Sequence, residues 1–143
     1  FKNCFAFYYQ NNQFIESNEL ELMSVGAGPV LVCKLSGRVF ETGSAYPTEH
    51  YVEALESCGD PNAELTKTVS VFGWENGAKK VSATKLIRVS SHLNMREAKH
   101  IIDNALQNVE SRFETDGVEE SKKVLSELSN FGFKCKQLWS NQF

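Results

Sequence analysis

The sequence has 143 residues, of which 41% are hydrophobic and 23% are charged. This composition is typical of a globular protein and excludes disordered, collagen-like and coiled-coil classes. No apolar run approaches the roughly 20 residues of a membrane helix, and the N-terminus lacks the basic and apolar blocks of a secretory signal, so we expect a cytoplasmic protein with no membrane partner. The sequence begins with Phe1 rather than methionine, which leaves open whether residues precede it.

The net charge of −3 is distributed unequally along the chain. Residues 1–65 carry nine acidic and three basic side chains, a net charge of −6, and the remaining residues carry +3. Such a division indicates two surfaces that meet different partners or that face each other. Two ordinary solvated surfaces would produce the same division, so the pattern alone assigns no partner.

The first part of the chain has the pattern of a β-rich segment. Apolar runs rich in β-branched and aromatic residues predict strands at 5–9 and 30–35, and a turn at Gly37 leads into a further strand at 38–42. Consecutive aromatic residues such as those at 5–9 usually fill a core. The glycine-containing stretch 26–29 is expected to be a loop rather than a phosphate cradle, because no Gly-Lys-Ser/Thr follows it and its proline removes a backbone donor.

One short helix is predicted next, beginning at Thr48 as its cap and ending at Gly59. Its apolar face would contain Tyr51, Val52, Leu55 and Cys58. The turn residues around Pro61 then mark a boundary. We therefore predict two domains, an acidic β-rich segment with one short helix at 1–62 and a second domain at 63–143.

The second part of the chain opens with an alternating strand at 68–72 that ends at Gly73. A helix is predicted over 79–90, and its apolar face consists of Ala83, Leu86, Ile87 and Ser90. The opposite face of this helix consists of Lys80, Val81, Thr84, Lys85 and Arg88. Propensity alone leaves the segment ambiguous, because valine, serine and threonine favour strands.

A second helix is indicated by Asn94 and Glu97, which have the spacing of a capping box. It carries an apolar stripe of period 3.6, formed by Met95, Ala98, Ile101, Ile102, Ala105, Leu106 and Val109. A short strand at 110–114, a third helix capped by Asp116 and Glu119 and ended by Gly132, and a closing strand at 133–136 follow. The predicted fold class is α+β: a β-rich N-terminal segment followed by a β-α-α-β-α-β sandwich with helices on one face of a small sheet.

No catalytic or cofactor-binding constellation is evident in the sequence. His50, His92 and His100 are scattered, and none has a known spacing to a cysteine or carboxylate that would form an acid–base pair or a metal site. Four cysteines, Cys4, Cys33, Cys58 and Cys135, lack the close pairs of metal or redox motifs, which favours buried free thiols. Disulfides in a secreted domain are the alternative. We therefore expect no enzyme activity, no cofactor and no metal.

The second part also resembles a known family. Lys80-Val81, Lys85, Arg88, Leu93 and Glu97-Ala98-Lys99 match, without a gap, the most characteristic stretch of the C-terminal domain of the bacterial ribosomal stalk protein, the large-subunit L7/L12 type. Lys122-Lys123-Val124-Leu125 followed by Phe133 resembles the last helix and strand of that domain, with about one extra residue between them. The resemblance covers about residues 65–138.

The resemblance implies a binding module. In this family the corresponding face docks on translational GTPases, and the positions that carry over to this chain are Lys80, Val81, Thr84, Lys85, Arg88 and Lys99. Thr84 stands where the family usually has an aliphatic residue, and the turn 89–92, with Asn94 after it, replaces expected glycines. The family's helical dimerisation domain and alanine-rich hinge are replaced here by the acidic β-rich segment. These features favour a non-catalytic adaptor that docks a protein partner, possibly of the translation machinery, over a stalk protein itself.

Two rival functions stay open at this stage. The chain could bind nucleic acid through the cations Lys79, Lys80, Lys85, Arg88, Arg96 and Lys99 and the aromatic residues Phe5, Phe7, Tyr8 and Tyr9. It could instead be an inhibitor or nucleic-acid mimic whose acidic N-terminal half covers a basic protein surface. A solvated helix face without a partner would carry the same surface lysines.

Overall fold

The computed structural model describes all 143 residues and has the predicted α+β class. It divides into two compact units, Phe1–Glu64 and Leu65–Phe143. That each unit corresponds to an independent domain stays a prediction. None of the helices combines the length and the apolar composition that a membrane-spanning segment requires.

The first unit contains a three-stranded antiparallel sheet with the strand order β1-β2-β3. Its elements are β1 (Cys4–Phe7), α1 (Asn12–Ser17), a 3₁₀ turn (Leu20–Leu22), β2 (Ala27–Cys33), β3 (Val39–Gly43) and α2 (Thr48–Cys58). The three predicted strands and the hairpin between β2 and β3 are confirmed. The sequence did not predict α1, a six-residue helix with no buried side chain.

The small core of this unit lies between the sheet and α2. It is formed by Cys4 and Leu31 from the strands and Tyr51 and Val52 from the helix. Successive strand residues point to opposite faces of a sheet. Phe5 and Phe7 therefore lie on the face of β1 opposite to Cys4, where they are more than half exposed. The expectation that the aromatic run 5–9 fills a core is therefore wrong.

Two local predictions in this unit are also wrong. The stretch 26–29, which was expected to be a loop, contains the start of β2. Gly28 allows this strand to approach β3 closely. An added Cβ on Gly28 would lie 1.8 Å from the carbonyl oxygen of Gly43. In α2 the capping position is Pro47, so Thr48 is the first helical residue, and its hydroxyl pairs with the Tyr8 hydroxyl at 2.7 Å.

The second unit has the predicted β-α-α-β-α-β order, with the strand order β5-β4-β6 in an antiparallel sheet. Its elements are β4 (Leu65–Trp74), α3 (Lys80–Ser90), α4 (Met95–Leu106), β5 (Ser111–Glu114), α5 (Val118–Asn130) and β6 (Phe133–Trp139). The strands β4 and β6 are longer than predicted. They pair along most of their length, and this long-range pairing extends them beyond the segments that alternate in sequence.

Helices α4 and α5 of this unit pack on the sheet, and α3 packs against both of them. The core contains the same-face strand residues Val69, Val71, Phe113 and Phe133 and the helix residues Ala83, Ile87, Ala98, Ile101, Ile102, Ala105, Val124 and Leu128. The central part of the predicted α4 stripe is buried as expected. Its ends, Met95 and Val109, are instead 43% and 48% exposed.

The helix caps of this unit are only partly as predicted. Asn94 and Glu97 form the expected capping box on α4, with hydrogen bonds of 2.9 Å in each direction. Helix α5 begins at Val118, so its capping position is Gly117 rather than the predicted Asp116. No side-chain hydrogen bond caps this helix. Asp116 pairs instead with His92 at 3.0 Å, on the surface.

Candidate functional site

The face predicted for partner binding lies on α3 and on the first turns of α4. Gly77, with a φ of 86°, turns the chain ahead of α3, and the backbone N–H of Lys79 donates to the carbonyl of Phe131 at 2.8 Å. These constraints fix the position at which α3 begins. Ala83 and Ile87 then face the core and are fully buried.

Five of the six predicted residues line one open groove of about 200 Å³ between α3 and α4. They are Lys80, Val81, Thr84, Lys85 and Lys99, joined by Met95. Arg88 lies one helical turn beyond Lys85 on the exposed surface of α3, outside this groove. The structure therefore brings together residues that are up to 19 positions apart in the sequence.

Thr84 differs from its predicted setting on the solvent-facing side of α3. It is only 7% exposed, and its hydroxyl donates to the backbone carbonyl of Lys80 at 2.9 Å. A helical projection of α3 alone missed this burial, since such a projection contains no information about packing against other elements. The hydroxyl is satisfied within the helix, so Thr84 presents no unpaired polar group to a partner.

Met95 is the lining residue that the sequence analysis missed, because it was assigned to the buried stripe of α4. Its spacing of four residues from Lys99 places the two side chains on the same side of the helix. This spacing was the feature of the sequence that could have placed Met95 in the groove. With Val81, which is 67% exposed, Met95 adds an adaptable apolar surface to the rim of the groove.

The cations of this face differ in how freely they can meet a partner. Lys80 donates to the carboxylate of Asp103 at 2.5 Å. This hydrogen bond is the largest cause that lowers the pKa of Asp103 below its ordinary value. Lys85, Arg88 and Lys99 form no ion pair within the protein. The positive charge of this face that is not held in an ion pair therefore comes from these three side chains.

A second and larger concavity of about 600 Å³ shares Lys99 with the groove. Its other charged or ionisable lining residues are Arg96, Glu97, His100, Asp103 and Arg112, and Leu93 and Ile101 supply apolar surface. Three cations and two carboxylates line this concavity, so a slight excess of positive charge continues from the groove. The arrangement suits noncovalent binding of an acidic surface, with apolar contacts from the groove.

The histidines that the sequence offered as candidate catalytic or metal-binding residues lie elsewhere. His92 and Asp116 form an exposed pair, and their side chains are 94% and 72% accessible. His50 stacks on Tyr46 with ring centroids 4.2 Å apart. No group of three or more histidine, cysteine, aspartate or glutamate side chains is arranged to hold a metal ion.

The second unit of this chain is similar to known proteins. Residues 69–130 match the family model of the ribosomal protein L7/L12 C-terminal domain. A curated relative, the large ribosomal subunit protein bL12 of Geotalea uraniireducens (strain Rf4), is 39% identical over 51 residues. That alignment covers 36% of this chain and 40% of the relative, so the chain spans less than half the length of that relative. No solved structure matches the chain significantly.

Proposed function

We propose, from the presence of an L7/L12-type C-terminal domain at residues 69–130, that this protein is a noncatalytic adaptor that docks a translational GTPase. The docking face consists of the groove between α3 and α4 together with Arg88. A cytoplasmic location and a role in translation belong to the same proposal. The single observation that carries it is that five residues selected by family spacing line one groove.

The groove has the composition of a protein-docking site. Val81 and Met95 provide exposed apolar area. Thr84 is a buried residue of the groove, and its hydroxyl is already hydrogen-bonded within α3. Lys85 and Lys99 provide positive charge and form no ion pair with a carboxylate of the chain. An acidic helix or loop with one or two apolar side chains would complement this surface, and charge would set the rate of association more than the final affinity.

Lys80 would have a different role from the other cations. Its ammonium group is already held by Asp103, so it adds little net attraction for an acidic partner. The pair instead connects the first turn of α3 to the third turn of α4. We therefore assign recognition to Lys85, Arg88 and Lys99, and a positioning role to Lys80.

Nuclear magnetic resonance mapping of the surface tests this proposal. The full chain, labelled with nitrogen-15, is titrated with a purified bacterial elongation factor of the translational GTPase class. We expect the largest amide shifts at residues 80–88 and 95–99. Shifts confined to α2, around Glu49, Glu53 and Glu56, would contradict the proposal and favour the acidic half as the contact. An absence of amide shifts at a high micromolar concentration of the elongation factor would contradict the assigned partner.

Nucleic-acid binding is the second candidate, and one structural observation favours it. Phe5, Phe7, Tyr8 and Tyr9 are 53%, 55%, 70% and 58% exposed, so their rings are accessible for stacking on bases. The same unit carries a net charge of −6, which repels a polyanion. A fluorescent single-stranded oligonucleotide in the same buffer distinguishes the two functions, and we expect no saturable binding.

A further inference from the structure

Two cysteines that are far apart in sequence lie directly opposite each other in the first sheet. Strands β1 and β2 are antiparallel, and their register pairs Cys4 with Cys33. At the adjacent pair, the backbone N–H of Lys34 donates to the carbonyl of Asn3 at 3.0 Å. Because hydrogen-bonded and non-hydrogen-bonded pairs alternate along an antiparallel ladder, the cysteines form a non-hydrogen-bonded pair.

The hydrogen bonds of Cys33 confirm this assignment. Its N–H donates to the carbonyl of Arg38, and its carbonyl accepts from Gly37, so both backbone groups point away from β1. Residues in a non-hydrogen-bonded pair have Cα atoms about 4.5 Å apart. A disulfide needs a Cα separation of roughly 4.4 to 6.8 Å. The typical separation of such a pair lies within this range, so the register is compatible with a cross-strand disulfide.

Both thiols lie on the same face of the sheet, but they differ in access. Cys4 is fully buried in the core of the first unit, against which Phe40 and Leu55 pack. Cys33 is half-buried and lines an open cavity of about 360 Å³ together with the same Phe40 and Leu55. A small oxidant can thus reach Cys33 directly, whereas Cys4 is not exposed to it.

The surroundings also make the two thiols chemically unequal. A hydrogen bond from Ser36 lowers the pKa of Cys33, and burial raises the pKa of Cys4. The thiolate is the attacking species in thiol–disulfide exchange. Cys33 is therefore the first thiol to react, and Cys4 is the thiol that resolves the intermediate.

We propose that Cys4 and Cys33 are a site of reversible disulfide formation, oxidised by a small-molecule disulfide of the glutathione type. The Cys33 thiolate attacks one sulfur of the oxidant and expels the first small thiolate, which leaves a mixed disulfide. Cys4 then loses its proton to solvent, attacks the Cys33 sulfur and expels the second small thiolate. Two protein thiols lose two electrons and two protons, and the small disulfide gains them as two thiols.

The bond would lock an edge strand in place. Strand β1 has only one neighbour in its sheet, and it carries the exposed rings of Phe5 and Phe7. Oxidation would join β1 covalently to the central strand and keep this aromatic surface ordered, whereas reduction would leave β1 free to fray. This inference goes beyond the proposed adaptor function and does not depend on the partner of the second unit.

Peptide mapping of the full chain after equilibration with reduced and oxidised glutathione tests the site. Cleavage after glutamate places Cys4, Cys33, Cys58 and Cys135 in four different peptides. We expect a linked pair of the peptides 1–16 and 22–41 that disappears on reduction, and a rise in the melting temperature of the first unit on oxidation. Absence of the linked pair in the native protein, or a linked pair containing Cys58 instead, would overturn the proposal.

Matched variants separate the site from nonspecific oxidation. Cys33→Ser should abolish both the linked peptides and the melting shift, while the double change Cys58→Ser, Cys135→Ser should retain both. Because Cys4 is buried, Cys4→Ala could loosen the core, so its fold is first checked by circular dichroism. In folded Cys4→Ala, glutathione should accumulate on Cys33 as a stable adduct. An unmodified Cys33 in that variant would contradict the assigned order of reaction.

Discussion

Truncation of Ile102 measures how firmly α4 is packed against the sheet. Ile102 is fully buried in the core that also contains Val69, Phe113 and Leu128. The change Ile102→Ala removes three carbon atoms, each worth about 0.8 kcal/mol when buried, or about 2.4 kcal/mol together. The cavity left behind adds to this value, so we expect a loss of about 2 to 5 kcal/mol in the free energy of unfolding.

Urea unfolding followed by tryptophan fluorescence is the appropriate assay for this variant. Both tryptophans, Trp74 and Trp139, lie in the second unit, so the signal reports on that unit alone. Val89→Ala is the matched control, because Val89 is 83% exposed on α3, and its effect should stay within about 0.5 kcal/mol. A loss below about half a kcal/mol for Ile102→Ala would refute the packing of α4 described above.

Two further predictions concern the elements that hold the groove. Removing the α4 cap with Asn94→Ala should lower the free energy of unfolding by roughly 0.5 to 2 kcal/mol in the same urea assay, and a neutral result would mean that the capping box is not formed. The carboxylate of Asp103 should titrate below the ordinary aspartate pKa, because Lys80 donates to it. The stability from this pair is therefore present above the ordinary pKa and is lost as the pH falls through the lowered pKa. Lys80→Gln should move the titration midpoint of Asp103 upward in a carbon-13 pH titration, and an unchanged midpoint would contradict the pairing.

Local sequence signals predicted most of the second unit. The period of 3.6 residues from Ala98 to Ala105 and the Asn94–Glu97 spacing are properties of one helix, and both are present in the structure. Thr84 and Met95 were placed wrongly because their exposure depends on how α3 and α4 pack against the rest of the unit. A helical projection of a single segment contains no such information.

The first unit shows a second limit of prediction from the sequence. Phe5 and its neighbours have a strong preference for strands, and they do form β1, but the sequence did not indicate which face of a three-stranded sheet would stay uncovered. The approach of Cys4 to Cys33 depends on the register between two strands 20 residues apart along the chain. Register is set by packing of the whole sheet, so cysteine spacing could not reveal the pair.

Association kinetics test the central claim about the docking face most directly. The double change Lys85→Glu, Arg88→Glu reverses two exposed charges on α3, and Lys122→Glu, Lys123→Glu reverses two charges on α5 as a matched control. Stopped-flow mixing with the elongation factor gives the association rate at several salt concentrations. Charge steering acts over a Debye length of about 8 Å at physiological ionic strength.

The docking face predicts a clear difference between the two variants. Association of the Lys85/Arg88 variant should be slower by about tenfold or more at low salt, the control should stay within a few-fold of the wild type, and added salt should reduce the difference. The melting temperature of the Lys85/Arg88 variant should be unchanged, since exposed side chains contribute little to stability. A Lys85/Arg88 variant that binds with wild-type kinetics would contradict docking through this face.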